Sequence, residues 1–167
     1  MRAEKLVRIR VSEADFDLST ELQALRDQRK GIGALVSFVG TVREVNEGDA
    51  VSSMHLEHYP GMTERSLAEI ADRAFEAWRL EAMAIVHRVG LLHPGDQIVL
   101  VAVASAHRHD AFEACSFVMD YLKTEAPFWK KERTSAGERW VEARASDEQA
   151  RDRWLSARQT GSLQTPP

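Results

Sequence analysis

The sequence predicts an α/β fold of the α+β kind. Stretches with strand-like and helix-like periodicity alternate along the chain, and turn residues between β-rich stretches indicate several hairpins. The chain has 167 residues, of which 44% are hydrophobic, and this is enough to bury one sizeable core. We therefore expect a single domain over residues 1–158 and a disordered tail over residues 159–167.

Periodicity, capping residues and turn chemistry predict each element in order. The first half is expected to contain a strand over 6–11, a helix capped by Asp17 or Ser19 and ended by Lys30-Gly31, a long hairpin of 34–42 with 51–59 around the turn 46–49, and a helix over 62–80. The second half is expected to contain strands over 83–92 and 97–105 joined at 93–96, a helix over 110–124, a hairpin of 128–133 with 139–143 around Gly137, and a charged helix over 147–158. The strand over 97–105 is apolar on both faces and should lie centrally in its sheet.

Charge and composition exclude several classes of protein. The net charge of −4 and the pI near 5.9 argue against a general surface for nucleic acid or for an anionic membrane. No window approaches the roughly 20 apolar residues of a membrane helix. Cys115 is the lone cysteine, so no intramolecular disulfide can form, and no signal peptide is evident. We expect a cytoplasmic protein that binds neither nucleic acid nor membrane.

Cationic side chains recur at the ends of predicted elements, beside turns. They are Arg43 after a β-rich stretch, His107 and Arg108 after the central strand, and Lys123 and Lys130 on either side of the corner at Pro127. Side chains from separate elements can converge on one cleft at such ends. Arginine recognises phosphate and carboxylate groups through a planar fork of donors, so these residues together could form an anion-binding pocket. Each could equally be a surface ion-pair partner.

Lys123 and Lys130 are the most informative pair, because the chain reverses between them and can bring both amines to one pocket. A neighbouring positive charge and partial burial would each lower the pKa of an amine toward a value useful for a nucleophile or base. The alternative is that Lys123 only complements the negative C-terminal end of its helix and that Lys130 is solvated.

Other candidate sites are weaker. His55 and His58 should point to opposite faces of a strand, which argues against a metal site, and Ser105 near His107 is only a faint indication of hydrolase chemistry. Cys115 lies on the apolar face of its helix and is interpreted as a buried thiol. Four aromatic residues are expected in the core: Phe112, Phe117, Trp129 and Trp140.

Several short stretches, in order and at suitable spacing, resemble the catalytic subunit family of molybdopterin synthase over nearly the whole chain. The first three are Phe-x-Gly-x-Val-Arg at 38–43 with Asn46 following, Glu-His-Tyr-Pro-Gly-Met at 57–62, and His-Arg-Val-Gly at 87–90. The others are Ser-Ala-His-Arg at 105–108, Ala-Phe-Glu-Ala-Cys at 111–115, and a stretch that begins with Leu122-Lys123 and ends with Pro-Phe-Trp-Lys-Lys-Glu at 127–132. The order and spacing of these stretches make a chance match very unlikely.

This resemblance implies a hammerhead-type α/β domain with an additional antiparallel β-sheet, in a homodimer at the centre of a heterotetramer. Two small ubiquitin-like subunits would each insert a C-terminal thiocarboxylate into a pocket of the large subunit and donate sulfur to cyclic pyranopterin monophosphate. The product would be molybdopterin. We expect the protein itself to hold no further cofactor and no metal. The implied catalytic residues are Lys123 and Lys130, and the implied substrate contacts are Thr41, Val42, Arg43, His107, Arg108, Lys123, Lys130, Lys131 and Glu132.

Two functions from other classes stay open on the residues alone. A non-catalytic module could use the same basic pocket to bind a phosphorylated ligand, and a scaffold could dock a ubiquitin-like protein without any small-molecule site. The separate roles of Lys123 and Lys130 also stay open, as does any contribution from a second protomer.

Overall fold

The computed structural model describes residues 4–27, 29–141 and 145–159. Within these ranges the strands are β1 Leu6–Ser12, β2 Ala34–Thr41, β3 Val45–Asn46, β4 Asp49–His58, β5 Leu80–Arg88, β6 Gly90–Leu92, β7 Gln97–Ser105, β8 Phe128–Thr134 and β9 Gly137–Val141. The helices are α1 Leu18–Arg26, α2 Met62–Ala77, α3 Arg108–Glu125 and α4 Ala145–Gln159. The chain is therefore α+β, as predicted.

The strands form two sheets. The first sheet has the order β1-β5-β7-β2, in which β1 runs parallel to β5 and the other pairs are antiparallel. The second is antiparallel, with the order β3-β4-β8-β9 and with β6 on β4. The apolar strand β7 is central and buried along almost its whole length, which confirms its prediction.

Side-chain alternation in β5 and β7 separates two layers of core. Residues such as Ile85 and Val101 face a large cluster formed with α2, α3 and inward residues of the second sheet, among them Leu56. The intervening residues, such as Ala84, face a smaller cluster that α1 covers. The two sheets therefore share one core. A cleft lies where they meet.

Two predicted connections are wrong. Residues 34–42 and 51–59 do not pair as a hairpin, because β2 pairs with β7 in the first sheet while β4 belongs to the second. The predicted strand over 83–92 is interrupted: Gly90 has φ +83, a left-handed conformation that favours glycine, and the chain leaves β5 there so that β6 pairs with β4. Both errors concern partners distant in sequence, which local periodicity does not specify.

Element ends differ less. Asp17 caps α1 by accepting a hydrogen bond from the Thr20 N–H at 2.7 Å, but α1 ends at Arg26 rather than at Lys30-Gly31. The last hairpin is confirmed as β8 and β9, and the charged helix as α4. Residue 143, placed at the end of that hairpin, and nearly all of the predicted tail, residues 160–167, lie outside the described residues.

Three of the four aromatic residues predicted for the core are exposed. Phe117 is fully buried, whereas the exposed fractions are 61% for Phe112, 48% for Trp129 and 56% for Trp140. Trp129 and Trp140 lie on the outer face of the second sheet, which no described helix of this chain covers. Among the described residues, no helix is long and apolar enough to cross a lipid bilayer.

Candidate active site

A cleft of about 470 Å³ lies where the second sheet meets the end of the first sheet and the last turn of α3. Five of the predicted site residues line it: Thr41, Arg43, Lys123, Lys130 and Glu132. Three of these are cations that come from three different elements or their ends. The fold therefore concentrates positive charge in one concave site, as anion binding requires.

The alternation of β8 determines which of its charged residues face the cleft. Successive side chains of a strand point to opposite faces, so Lys130 and Glu132 point inward and Lys131 points outward. The Nζ of Lys131 lies 3.0 Å from the Glu138 carboxylate and 5.7 Å from the centroid of the Trp140 ring. Neighbouring lysines in the sequence therefore have different surroundings.

The last turn of α3 supplies the second lysine of the cleft. Because α3 ends at Glu125 and the chain turns at Pro127 into β8, Lys123 and Lys130 lie on the wall of the same cleft. The Nζ of Lys123 lies 3.8 Å from Oδ1 of Asp147 in α4, and its side chain is 45% exposed. An ion pair this exposed contributes little stability, so the amine remains accessible to a ligand.

Backbone contacts after β2 position Arg43. The register of β2 against β7 shifts between Gly40 and Thr41. The N–H of Val42 then donates to the carbonyl of Asp96 at 2.9 Å, and the carbonyl of Val42 accepts from the N–H of Gly95 at 2.8 Å. The side chain of Val42 is buried as a result and is not part of the cleft wall, whereas Arg43 reaches it.

A network of hydrogen bonds links Arg43 to the interior of the second sheet. Nη2 of Arg43 donates to Oδ1 of Asn46 at 2.9 Å, and Nδ2 of Asn46 donates to the two carboxylate oxygens of Glu132 at 3.0 and 3.1 Å. Arg139 donates to Glu132 at 3.4 Å, to Asp49 at 2.9 Å and to the carbonyl of Asn46 at 2.8 Å. Glu132 is only 2% exposed, so its charge is compensated mainly by protein donors.

His87 is a cleft residue that our sequence reasoning did not select. It is 3% exposed, its ring stacks on Phe128 with centroids 3.7 Å apart, and Nδ1 lies 2.7 Å from the carbonyl of Arg88. The pKa of His87 is lowered to about 4, chiefly by burial and also by the charges of Lys130 and His58, while the hydrogen bond to Arg88 acts to raise it. The imidazole is therefore neutral at pH 7, with Nδ1–H donating to the carbonyl. A histidine at the end of a strand with a continuous apolar run is the signal that could have identified it.

His107 and Arg108 do not reach this cleft within one chain. Both are exposed at the start of α3, and Arg108 is 15 residues before Lys123, which corresponds to roughly 22 Å along a helix. The hydroxyl of Ser105 donates to the carbonyl of Arg79 at 2.7 Å and accepts from the N–H of His107 at 3.2 Å. Ser105 is fully buried, so it holds this junction together and is not presented as a nucleophile.

Cysteine and metal chemistry receive no support from the described residues. Cys115 is 5% exposed, and burial raises the pKa of its thiol to about 11, which agrees with the interpretation of a buried thiol. No group of three or more His, Cys, Asp or Glu side chains in the described part of the chain is arranged to hold a metal ion.

Comparison with known proteins decides the family. The family model described as "MoaE protein" matches residues 11–125 of this chain. The chain belongs to the MoaE protein family. A molybdopterin synthase catalytic subunit from Ralstonia nicotianae is 63% identical over 87% of this chain and 83% of its own length. The protein of the same name from Pseudomonas aeruginosa is 59% identical over 87% of this chain and 97% of its own length.

A solved structure of a MoaE family member agrees with the fold described above. The molybdopterin biosynthesis MoaE protein from Burkholderia ambifaria has 56% sequence identity and a TM-score of 0.78, and the match covers 90% of this chain and 99% of that one. The resemblance to the catalytic subunit family of molybdopterin synthase is thereby confirmed.

Proposed function

We propose that this chain is the catalytic subunit of a molybdopterin synthase, a sulfurtransferase of molybdenum cofactor biosynthesis. Its reaction would move two sulfur atoms from the C-terminal thiocarboxylate of a small ubiquitin-like subunit to cyclic pyranopterin monophosphate, forming the molybdopterin dithiolene. The observation that best supports it is the cleft in which Arg43, Lys123 and Lys130 converge from separate elements. Relatives at 59% and 63% identity have the name of this subunit.

The charge of the cleft suits the two reactants. The pterin has a phosphate and the sulfur donor has a thiocarboxylate, so each brings negative charge into the site. Fixed cations on the wall would hold both anions at once and would stabilise charge that develops during the transfer. The sulfur arrives on the partner, so the reaction needs no cysteine nucleophile, in accord with the burial of Cys115.

The lysines are proposed to have different roles. Lys130 is partly buried within β8, whereas Lys123 is exposed in the last turn of α3, so we assign Lys130 the position closest to the transferred sulfur. Lys123 would assist in proton transfer or in polarising the substrate. The neutral imidazole of His87 beside them would limit water at the base of the cleft.

The remaining predicted contacts are proposed with different geometry. Thr41 and Arg43 would bind substrate directly, and Glu132 would act through the side chains that it holds. His107 and Arg108 would reach a cleft only from a second copy of the chain, because they lie at the far end of α3. Lys131 and Val42 face away from the cleft of their own chain, so any contribution from them would be indirect.

The proposed assembly is a homodimer with two small thiocarboxylated subunits, a heterotetramer. The word "subunit" in the names of the relatives implies a partner chain for those proteins. The exposed Trp129 and Trp140 give the second sheet an apolar outer face suited to contact with protein. The proposed compartment is the cytoplasm, where thiols stay reduced.

A product assay with the purified chain, thiocarboxylated small subunit and cyclic pyranopterin monophosphate tests this proposal. Wild type should form molybdopterin, and Lys130→Ala and Lys123→Ala should each reduce the rate by about 100-fold or more, since each removes a group that acts on the reacting atoms. Lys30→Ala, which removes an exposed lysine between α1 and β2, is the matched control and should retain the wild-type rate.

The same experiment separates the alternatives. A phosphate-binding module would bind the pterin, with weaker binding in Lys130→Ala, but wild type would form no product. A docking scaffold would bind the small subunit and show no affinity for the pterin. Either result would overturn the enzymatic assignment.

A further inference from the structure

Asn46 connects the cleft to a buried charge. Its side chain lies between the guanidinium of Arg43 and the carboxylate of Glu132, with hydrogen bonds of 2.9 Å on one side and of 3.0 and 3.1 Å on the other. Asn46 is 6% exposed and Glu132 is 2% exposed, whereas Arg43 is exposed on the cleft wall. The network therefore runs from inside the second sheet to the substrate-facing surface.

The chemistry of the two neighbours determines which residue type fits between them. An arginine side chain only donates hydrogen bonds, and an ionised carboxylate only accepts them. The side chain between Arg43 and Glu132 must accept on one side and donate on the other, and a primary amide does both with a fixed separation of its two atoms. Aspartate has nearly the same shape but would set a second carboxylate against Glu132.

Arg139 holds the inner end of this network in place. It donates to Glu132 and also to the backbone carbonyl of Asn46, so it fixes both the carboxylate and the main chain that bears the amide. The short strand β3 adds a second constraint, since Asn46 pairs with Asp49 across the turn. Because the guanidinium of Arg43 is hydrogen-bonded to a side chain that is itself held in place, it loses little conformational freedom when it binds an anion.

We propose that Asn46 is a positioning residue that orients Arg43 for the anionic substrate. It can do so because Glu132 holds its side-chain amide and Arg139 holds both Glu132 and the main chain of Asn46. This inference rests on the proposed function, since it assumes that Arg43 binds the pterin substrate. Asn46 does not itself act on the reacting atoms. Its loss should therefore raise the KM for the pterin and leave kcat and the affinity for the small subunit almost unchanged.

Steady-state kinetics of Asn46→Asp and Asn46→Ala test the proposal in the reconstituted enzyme. Each variant should raise the KM for the pterin about ten-fold, and the aspartate variant should do so by at least as much as alanine because it repels Glu132. Asn46→Ala adds no charge, so it provides the measurement if the aspartate variant does not fold. Glu69→Gln removes an exposed charge on α2, outside the cleft, and is the matched control, with the wild-type KM expected.

A compensating pair separates positioning from a merely structural role. In Asn46→Asp with Glu132→Gln, the new amide at 132 can donate to the new carboxylate at 46, which can still accept from Arg43. Both hydrogen bonds are then restored, with only the one between 46 and 132 reversed in direction. This double variant should have a KM within about three-fold of Glu132→Gln alone. In an Arg43→Ala background, Asn46→Ala should cause no further rise, because its effect passes through Arg43.

The outcomes distinguish this inference from the proposed function. If wild type forms no molybdopterin, the proposed function fails. If wild type is active, the inference is overturned by a wild-type KM in both Asn46 variants, by an equal rise in KM with and without Arg43, or by a failure of the compensating pair to lower the KM of Asn46→Asp.

Discussion

At the scale of single residues, two side chains of the same type have different surroundings when they lie on opposite faces of a strand. Lys130 and Lys131 are adjacent, yet one lines the cleft and the other pairs with Glu138 beside Trp140 on the outer face. Glu132, two residues after Lys130, returns to the inner face and joins the network around Asn46. One strand therefore contributes both a candidate catalytic amine and the anchor of a candidate substrate contact.

His87 should make the stability of the protein depend on pH. Its folded-state pKa of about 4 lies below the ordinary value of 6.5, so the unfolded chain binds a proton between these values while the folded chain does not. The contribution of His87 to the free energy of unfolding should therefore be complete above pH 6.5. It should be lost, by ~3 kcal/mol, as the pH is lowered toward 4.

Urea unfolding between pH 4 and pH 8 measures this effect as a difference between variants. His87→Phe retains a ring against Phe128 and should show a shallower loss of stability on acidification than wild type. His93→Gln, at a position with a side chain 61% exposed, should keep the wild-type slope. Parallel curves for wild type and His87→Phe would contradict the assignment of a buried neutral imidazole.

At the scale of elements, α4 closes one side of the cleft through a single aromatic anchor. Trp154 is 6% exposed and packs edge-on against Trp78 and Phe117, with centroids 5.7 and 5.6 Å away. Its Nε1–H donates to Oδ2 of Asp120 at 2.7 Å. The packing of Trp154 contributes more to the stability of α4 than the helix propensity of its residues does. The same packing holds Asp147 near Lys123.

Trp154→Ala should therefore destabilise the protein by about 3–5 kcal/mol, because it leaves a cavity between α3 and α4. Trp154→Phe keeps most of the ring packing and loses the hydrogen bond to Asp120, so its cost should be much smaller. Urea unfolding monitored by circular dichroism gives both values. An unchanged midpoint for Trp154→Ala would mean that α4 is not docked through this residue.

At the scale of the whole molecule, the two sheets form one structural unit. Met54 and Leu56 of the second sheet belong to the same buried cluster as Ile85 and Val101 of the first. The cleft lies along this junction, so its geometry depends on both sheets being packed together. A large shared core favours cooperative unfolding.

We predict a single unfolding transition for the domain. Tryptophan fluorescence, to which the exposed Trp129 and Trp140 of the second sheet contribute, should give the same midpoint in urea as far-UV circular dichroism, which reports mainly the helices packed on the first sheet. Two separated midpoints would show instead that the sheets unfold independently and would argue against the single domain expected over residues 1–158.

Much of the fold was predictable because the relevant forces act between neighbours in sequence. Within the described residues, periodicity and capping identified the four helices and most strands, and the turn at Gly137 identified the last hairpin. The lysines on either side of Pro127 were predictable as a pair because a corner of a few residues brings them together whatever surrounds it.

The tertiary structure decided what depends on partners distant in sequence. Pairing of β2 with β7, the exposure of Trp129 and Trp140, the burial of His87 in the cleft and the separation of His107 from Lys123 all follow from strand pairing and packing. The sequence by itself determined the element types, the cationic element ends and the family resemblance. It did not determine the link from Glu132 through Asn46 to Arg43, because hydrogen bonds across 86 residues of sequence separation leave no local pattern to read.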